Sequence, residues 1–386
     1  MPTNHSNLTP VSLNEFPKQA PFLYECKNSH GHAEPLIIQS PPGQGKSAML
    51  EGPFARALSR AYDCPVDVLV DMPANRDCLD YKGFALPIKR EGKAPVSRYT
   101  EPDLIERVSR SPAAEDGIVI LFLDEIGQAD HLTQKVLADL LLNYRLGEYQ
   151  LPTNVWIVGA TNLQSDGAGV NRILTHLNNR LSWFHAYLPM NEWANWARAN
   201  SLPAAGIAFA EFNQRYFAEP EPDKDAPFLT YRSFTKAMQA VQAYKAAHDM
   251  TDPRTVPTDA FLQRVVEGRI GAAHSLAFFE FARVMDDLPT PADVYDDPTN
   301  AKVPESMAAM YAASNMVTEL ASRGTIAPSQ VQSCVTYAAR LPSDLAASAL
   351  VAMCAGPNGG VAQHAEGIGP WLTENAALIA DVTRLR

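Results

Sequence analysis

Long apolar runs are missing from this chain. The longest, IVILFL near Ile118–Leu123, is far shorter than the roughly 20 residues a membrane-spanning helix needs, so no membrane insertion is expected. Cysteine is scarce: Cys26, Cys64, Cys78, Cys334 and Cys354 are odd in number, widely spaced and form no C-x-x-C pair. That argues against a disulfide framework or a thiolate zinc site and for a reducing, cytoplasmic setting. Positive charge is outweighed, with Lys+Arg 32 against Asp+Glu 43, and there is no lysine-rich tail. The broad basic footprint that drives non-specific nucleic-acid binding is therefore absent, although local basic loops could still serve nucleic acid. The opening residues, MPTNHSNLTP, have neither the basic nor the apolar part of a secretory signal, so none is expected. No internal repeat is visible.

What is present is enough apolar material, 46% of 386 residues, for sizeable cores in two or three domains. Residues 1–20 read as an extended, Pro- and Asn-containing lead-in. Over 21–190 short apolar runs alternate with helical patterns, which predicts an α/β fold with a parallel sheet flanked by helices. Candidate strands are 36–39, 66–70, 118–123 and 155–159; the third is continuously apolar, as a strand buried on both faces should be. The stretch QADHLTQKVLADLLLNYRL has helical spacing, with Leu132, Val136, Leu140 and Leu141 on one stripe, and RLGEYQLPTN reads as a small hairpin after it. From 191 to 290 the pattern is helical, interrupted by a charged, proline-rich loop at 217–227. A second linker is expected at 288–304, and the region 291–386 carries further amphipathic helices.

Three stretches carry the chemistry. In IIQSPPGQGKSAML, a buried strand runs into Pro41-Pro42-Gly43, a turn, and then Gln44-Gly45-Lys46-Ser47-Ala48. The spacing is that of a phosphate-cradling loop, G-x-x-x-x-G-K-[ST], except that Ser40 stands where the first glycine belongs. Gly45 lets the backbone approach phosphate, Lys46 can neutralise β/γ charge, Ser47 can ligate Mg2+, and the following helix aims its N–H groups at the anion. Ser40 is tolerable if its φ is negative and costs about 1 kcal/mol or more if it is positive. In ILFLDEIGQAD, Asp124 and Glu125 close an apolar strand. Carboxyl ends of parallel strands face a ligand crevice, where Asp124 could hold magnesium and Glu125 could activate water. A solvated acidic turn would explain this pair if it stood alone. In VWIVGATNLQSD, Asn162 follows another strand and could orient the water, though loops after strands favour Asn in any case. Arg172 and Arg180 follow in NRILTHLNNRL, and Arg232 in FLTYRSF; each could reach a nucleotide, Arg180 or Arg172 from a neighbouring subunit, or simply be solvated.

In this order, PPGQGKS, LFLDEIGQA, RLGEYQLP, VWIVGATN, NNRL and YRSF resemble the AAA+ ATPases, most closely the MoxR-like branch; CLDYKGFALPI at 78–88 resembles that branch's D-x-x-G-F/L-P segment. The resemblance is strong over about 21–285. It implies an AAA+ P-loop NTPase core, a helical lid, and ATP with Mg2+ as cofactors. It also implies a Walker A loop on Gly43, Gly45, Lys46 and Ser47, a Walker B pair on Asp124 and Glu125, and sensor 1 on Asn162. Arg180 would be the finger arginine and Arg232 the second sensor. Such proteins work as rings, usually homo-hexamers, that act on a protein client through a pore; in this branch the partner is often a von Willebrand factor A-type protein. Phe84, between Lys82 and Lys89-Arg90, is a candidate pore residue or a core aromatic. Three features depart from the pattern: Ser40, Leu181 where phenylalanine often follows the finger, and Pro53, which should kink the helix after the loop. A nucleic-acid motor on the same fold and a non-hydrolysing nucleotide-binding scaffold are the alternatives. His30, His32 and Glu34 are expected in a solvated loop, and Trp183, Trp193 and Trp196 as packing between core and lid.

Overall fold

Parallel strands dominate the first half of the computed structural model, which describes residues 8–162, 180–218, 226–322, 326–365 and 368–376. The strands are β1 (Val11–Ser12), β2 (Leu36–Gln39), β3 (Val66–Asp71), β4 (Ala85–Arg90), β5 (Lys93–Tyr99), β6 (Ile118–Leu123), β7 (Arg145–Leu146), β8 (Tyr149–Gln150), β9 (Val155–Thr161) and β10 (Ser182–Tyr187). Six form one sheet in the order β1-β10-β2-β9-β6-β3, and every neighbouring pair is parallel. All their carboxyl ends therefore open on one edge. Gln39 pairs with Thr161 there, and Asp71 with Leu123.

Side-chain alternation divides the sheet into two faces. Ile118, Ile120 and Phe122 pack with Phe16, Ala20 and Tyr24 of helix Glu15–Glu25 and with Leu50, Phe54 and Leu58. Val119, Leu121 and Leu123 face Leu104, Val108, Leu137, Leu140 and Leu141 on the other side. β6 is buried at all six positions, as its unbroken apolar run predicts, and each large side chain there contributes about 1.5–3 kcal/mol.

Several expectations need correction. Residues 15–20, expected to be extended, instead open the helix Glu15–Glu25, in which Phe16, Ala20 and Tyr24 recur at helical spacing. In helix His131–Asn143, Val136, Leu140 and Leu141 are buried but Leu132 is 62% exposed, since it sits in the first turn beyond the sheet. His32 is buried, not solvated: it stacks on Tyr144, and its Nε2 lies 3.1 Å from the Leu151 carbonyl oxygen. Pro53 does disrupt its helix, which passes through a π-helical turn, Leu50–Phe54, before resuming as Ala55–Tyr62.

The chain divides into two compact units, Met1–Leu188 and Pro189–Arg386. All described elements of the second unit are helical. Phe209, Phe234, Phe278 and Trp193 pack in a mesh of tilted and edge-on aromatic rings, so Trp193 belongs to the interior of this unit, whereas Trp196 is 46% exposed. The central helix Met307–Ala321 packs against Ala204–Phe212 and Ser343–Ala355, joining the C-terminal region to the helices before it. The expected linker at 288–304 contains a short capped helix, Pro291–Asp296.

Candidate functional site

β2 delivers the chain to the carboxyl edge, where Ser40 N–H still donates to Thr161 O of β9 at 3.2 Å. The backbone then turns, and Gly45 caps the helix Lys46–Met49 with φ +89°. A Cβ at Gly45 would meet no protein atom within 4 Å, so the need for glycine there is conformational rather than steric. Ser40 is fully buried, and its φ is not positive, so serine replaces the expected glycine without backbone strain.

Ser40 also takes a part that glycine could not. Lys46, 8% exposed, donates from Nζ to Ser40 Oγ (3.0 Å), Ser40 O (3.0 Å), Pro41 O (3.3 Å) and Asn162 Oδ1 (3.1 Å). A buried ammonium needs its three donors satisfied, and here neutral oxygens do so. Ser47 Oγ donates to Asp124 Oδ2 at 3.0 Å. Asp124 Oδ1 accepts the Glu125 N–H at 3.0 Å, and Asp124 N–H donates to Asp71 O at 2.9 Å. Glu125 sits at φ +54°, a left-handed conformation that costs a non-glycine residue about 1–2 kcal/mol. Its side chain is half-exposed at the strand end.

The structure thus brings Lys46, Ser47, Asp124, Glu125 and Asn162 together at the ends of β2, β6 and β9. Pro42 and Gly43 lie half-buried on the loop, Ala48 is exposed, and Gln44 is buried with its Oε1 accepting the Leu188 N–H at 2.7 Å. Ser47 and Asp124 offer adjacent hard oxygen donors, which suit Mg2+ with water and phosphate filling its other positions. Arg180 is exposed in the turn before β10; Arg172 lies outside the described residues. Arg232 is exposed, one residue into helix Tyr231–Ala247 of the second unit.

One cluster escaped the sequence reading. Asp71, 3% exposed at the end of β3, accepts from Tyr81 Oη (2.5 Å), Arg76 Nε (2.9 Å) and Arg107 (2.9 Å). Burial, then the Asp71 charge, raises the Tyr81 phenol above its ordinary pKa; burial opposes the Arg76 charge, but Asp71 outweighs it and its pKa is raised. A cavity of about 340 Å³, lined by Val70, Met72, Asn75 and Asp80 among others, opens beside them. The signal was available: VDVLVD ends in an aspartate at the same sheet edge as Asp124.

No protein-family model matches the chain, and no curated protein sequence does. Among solved structures it is similar to a mutant of RuvB from Thermotoga maritima (13% identity, TM-score 0.35, 76% of this chain and 80% of that one). It is also similar to the ORC2 protein of Aeropyrum pernix in ADPNP–ADP complexes (12%, TM-score 0.42, 70% and 72%) and to NtrX from Brucella abortus in complex with ATP (16%, TM-score 0.37, 72% and 62%). At these scores the likeness assigns no activity.

Proposed function

We propose that the chain is a magnesium-dependent ATPase of the AAA+ class, MoxR-like, that assembles as a ring and remodels a protein partner. The observation that carries this reading is the convergence of two bonds, Ser47 Oγ to Asp124 Oδ2 at 3.0 Å and Lys46 Nζ to Asn162 Oδ1 at 3.1 Å. The first joins the glycine loop to the end of β6, two strands away from β2, and the second to the end of the adjacent β9, both at the sheet edge where an anionic ligand is expected. Lys46 and the N–H groups of the helix after Gly45 would take the phosphates, with Lys46 exchanging carbonyl oxygens for phosphoryl oxygens. Ser47 and Asp124 would hold Mg2+, which when bound supplies charge neutralisation at the β/γ-phosphates. Glu125 would accept a proton from water aligned by Asn162. Arg180 from a neighbouring subunit and Arg232 would stabilise charge developing on the γ-phosphoryl group.

Calorimetry with Mg·ATP and Mg·ADP tests the binding step, and particle imaging of the Glu125→Gln protein with ATP tests the ring. A folded protein with no affinity for either nucleotide ends the ATPase reading; a monomer in saturating ATP ends the ring reading. The hairpin β4–β5 favours a second reading, a nucleic-acid motor: residues 82–100 hold Lys82, Lys89, Arg90, Lys93 and Arg98 against only Glu91 in an otherwise acidic chain. Several-fold stimulation of phosphate release by single-stranded or duplex DNA would favour it over a protein client.

A further inference from the structure

We propose that Ser40 is a positioning residue that parks Lys46 on the protein, so that a nucleotide must displace the lysine before its phosphates can bind, and affinity is held down. The inference rests on the reading of Lys46 as the phosphate-binding cation and identifies a brake on that same site. The brake lies at the position where the chain departs from the usual glycine.

An ammonium has three protons to donate and accepts nothing. Four protein oxygens receive those of Lys46: Ser40 Oγ and Ser40 O at 3.0 Å, Asn162 Oδ1 at 3.1 Å and Pro41 O at 3.3 Å. No proton is left over, so every new bond to a phosphoryl oxygen breaks an old one. The Ser40 hydroxyl is turned to hold the lysine. Oγ donates its own proton to Pro41 O at 3.2 Å, which aims its lone pairs at the ammonium. It cannot donate to a phosphate without first releasing Pro41. The holder is also rigid. Ser40 and Asn162 directly follow Gln39 and Thr161, the last paired residues of β2 and β9, and Ser40 N–H is bonded to Thr161 O at 3.2 Å. Ser40 is fully buried, so water does not compete for its bond to Lys46. Of the four acceptors, Oγ alone would vanish with glycine at position 40. When one conformation parks the lysine and another binds ligand, the parked share lowers the apparent affinity in proportion. Removing the hydroxyl therefore tightens binding, the opposite of what loss of a phosphate contact does.

Calorimetry on the full-length protein compares the wild type with Ser40→Ala, whose Cβ the non-positive φ at this position accepts. Mg·ADP and Mg·AMPPNP are expected to bind the variant about three- to tenfold more tightly. Stopped-flow measurements with N-methylanthraniloyl-ADP are expected to place the gain in the association rate. Dissociation should stay within about twofold, because the hydroxyl acts before the nucleotide is seated. Thermal melting gives an independent reading. Ser40→Ala is expected to melt below the wild type without ligand and level with it in saturating Mg·ADP, since the lost bond belongs only to the unliganded protein. A merely structural serine would lower both melts alike and leave affinity unchanged, which overturns the proposal. Weaker binding by a folded variant also overturns it, because Oγ would then support Lys46 in the bound state. Either result, with nucleotide bound by the wild type, leaves the ATPase reading standing. Ser40→Gly, the residue of the usual pattern, carries the same expectations should the alanine variant fold poorly. Failure of the wild type to bind nucleotide removes both readings.

Discussion

The two units bury polar groups in opposite ways. In Pro189–Arg386, Arg198 donates to Glu211 (2.6 Å), Asn315 (2.9 and 3.0 Å) and Asn195 (3.2 Å), and Asn315 donates onward to Glu211 (2.7 Å) and Tyr311 O (3.0 Å). This network is closed; each member satisfies another, and it fastens helix Met307–Ala321 to the helices before it. In Met1–Leu188, Lys46 and Ser47 instead hold partners at a strand edge that a phosphate and a metal ion could take over. Burial of charge alone therefore does not mark a ligand site. What marks it is that the bonded oxygens can be exchanged for those of a ligand without leaving a charge stranded.

The largest expected effect tests the exchangeable side. Lys46→Ala should abolish Mg·ATP binding by calorimetry while the far-ultraviolet circular dichroism stays native. Next, Glu125→Gln should bind ATP normally but release phosphate about 10²–10⁴-fold more slowly, the usual share of general-base catalysis; normal turnover would remove the water-activating role. On the closed side, Glu211→Ala leaves Arg198 without its carboxylate and should destabilise the protein by about 3 kcal/mol in denaturant unfolding, as breaking a buried pair does. Its affinity for ATP should be unchanged, and a loss of affinity would break the contrast between the units. The smallest effect sharpens it: Thr230→Ala removes the capping box that starts helix Tyr231–Ala247 and should cost about 1 kcal/mol. It should lower turnover only by misplacing Arg232, and therefore leave ATP affinity intact.

Much of the first unit was legible because its strands are apolar runs ending in polar punctuation. β2 and β6 coincide with the expected segments, and β3 and β9 extend them by one and two residues. Lys46, Ser47, Asp124 and Asn162 could be grouped in advance because parallel strands must release their chains at one edge. Less legible were the elements whose sequence looks polar. SWFHAY, which becomes β10, mixes aromatics with His185 and Ser182 and lacks the run of β-branched residues that marks its neighbours. The hairpin of β4 and β5 has no buried face to impose alternation, since nearly every residue in it is exposed. Leu132 misled for a different reason: periodicity assigns a face but not the point at which the helix outruns the surface it covers. Asp71 was overlooked because its arginine and tyrosine partners lie 5 to 36 residues away and meet it only in the fold.

The π-helical turn at Leu50–Phe54 has a consequence for everything after it in that helix. Such a turn holds one residue more than the regular spiral, so it rotates the downstream face by roughly 100° about the axis. Leu50, Phe54 and Leu58 all pack into the buried cluster on this face of the sheet across that turn. Replacing Pro53 would restore an N–H that the wide turn does without, so a return to the regular spiral would come with repacking of the helix that begins at the phosphate loop.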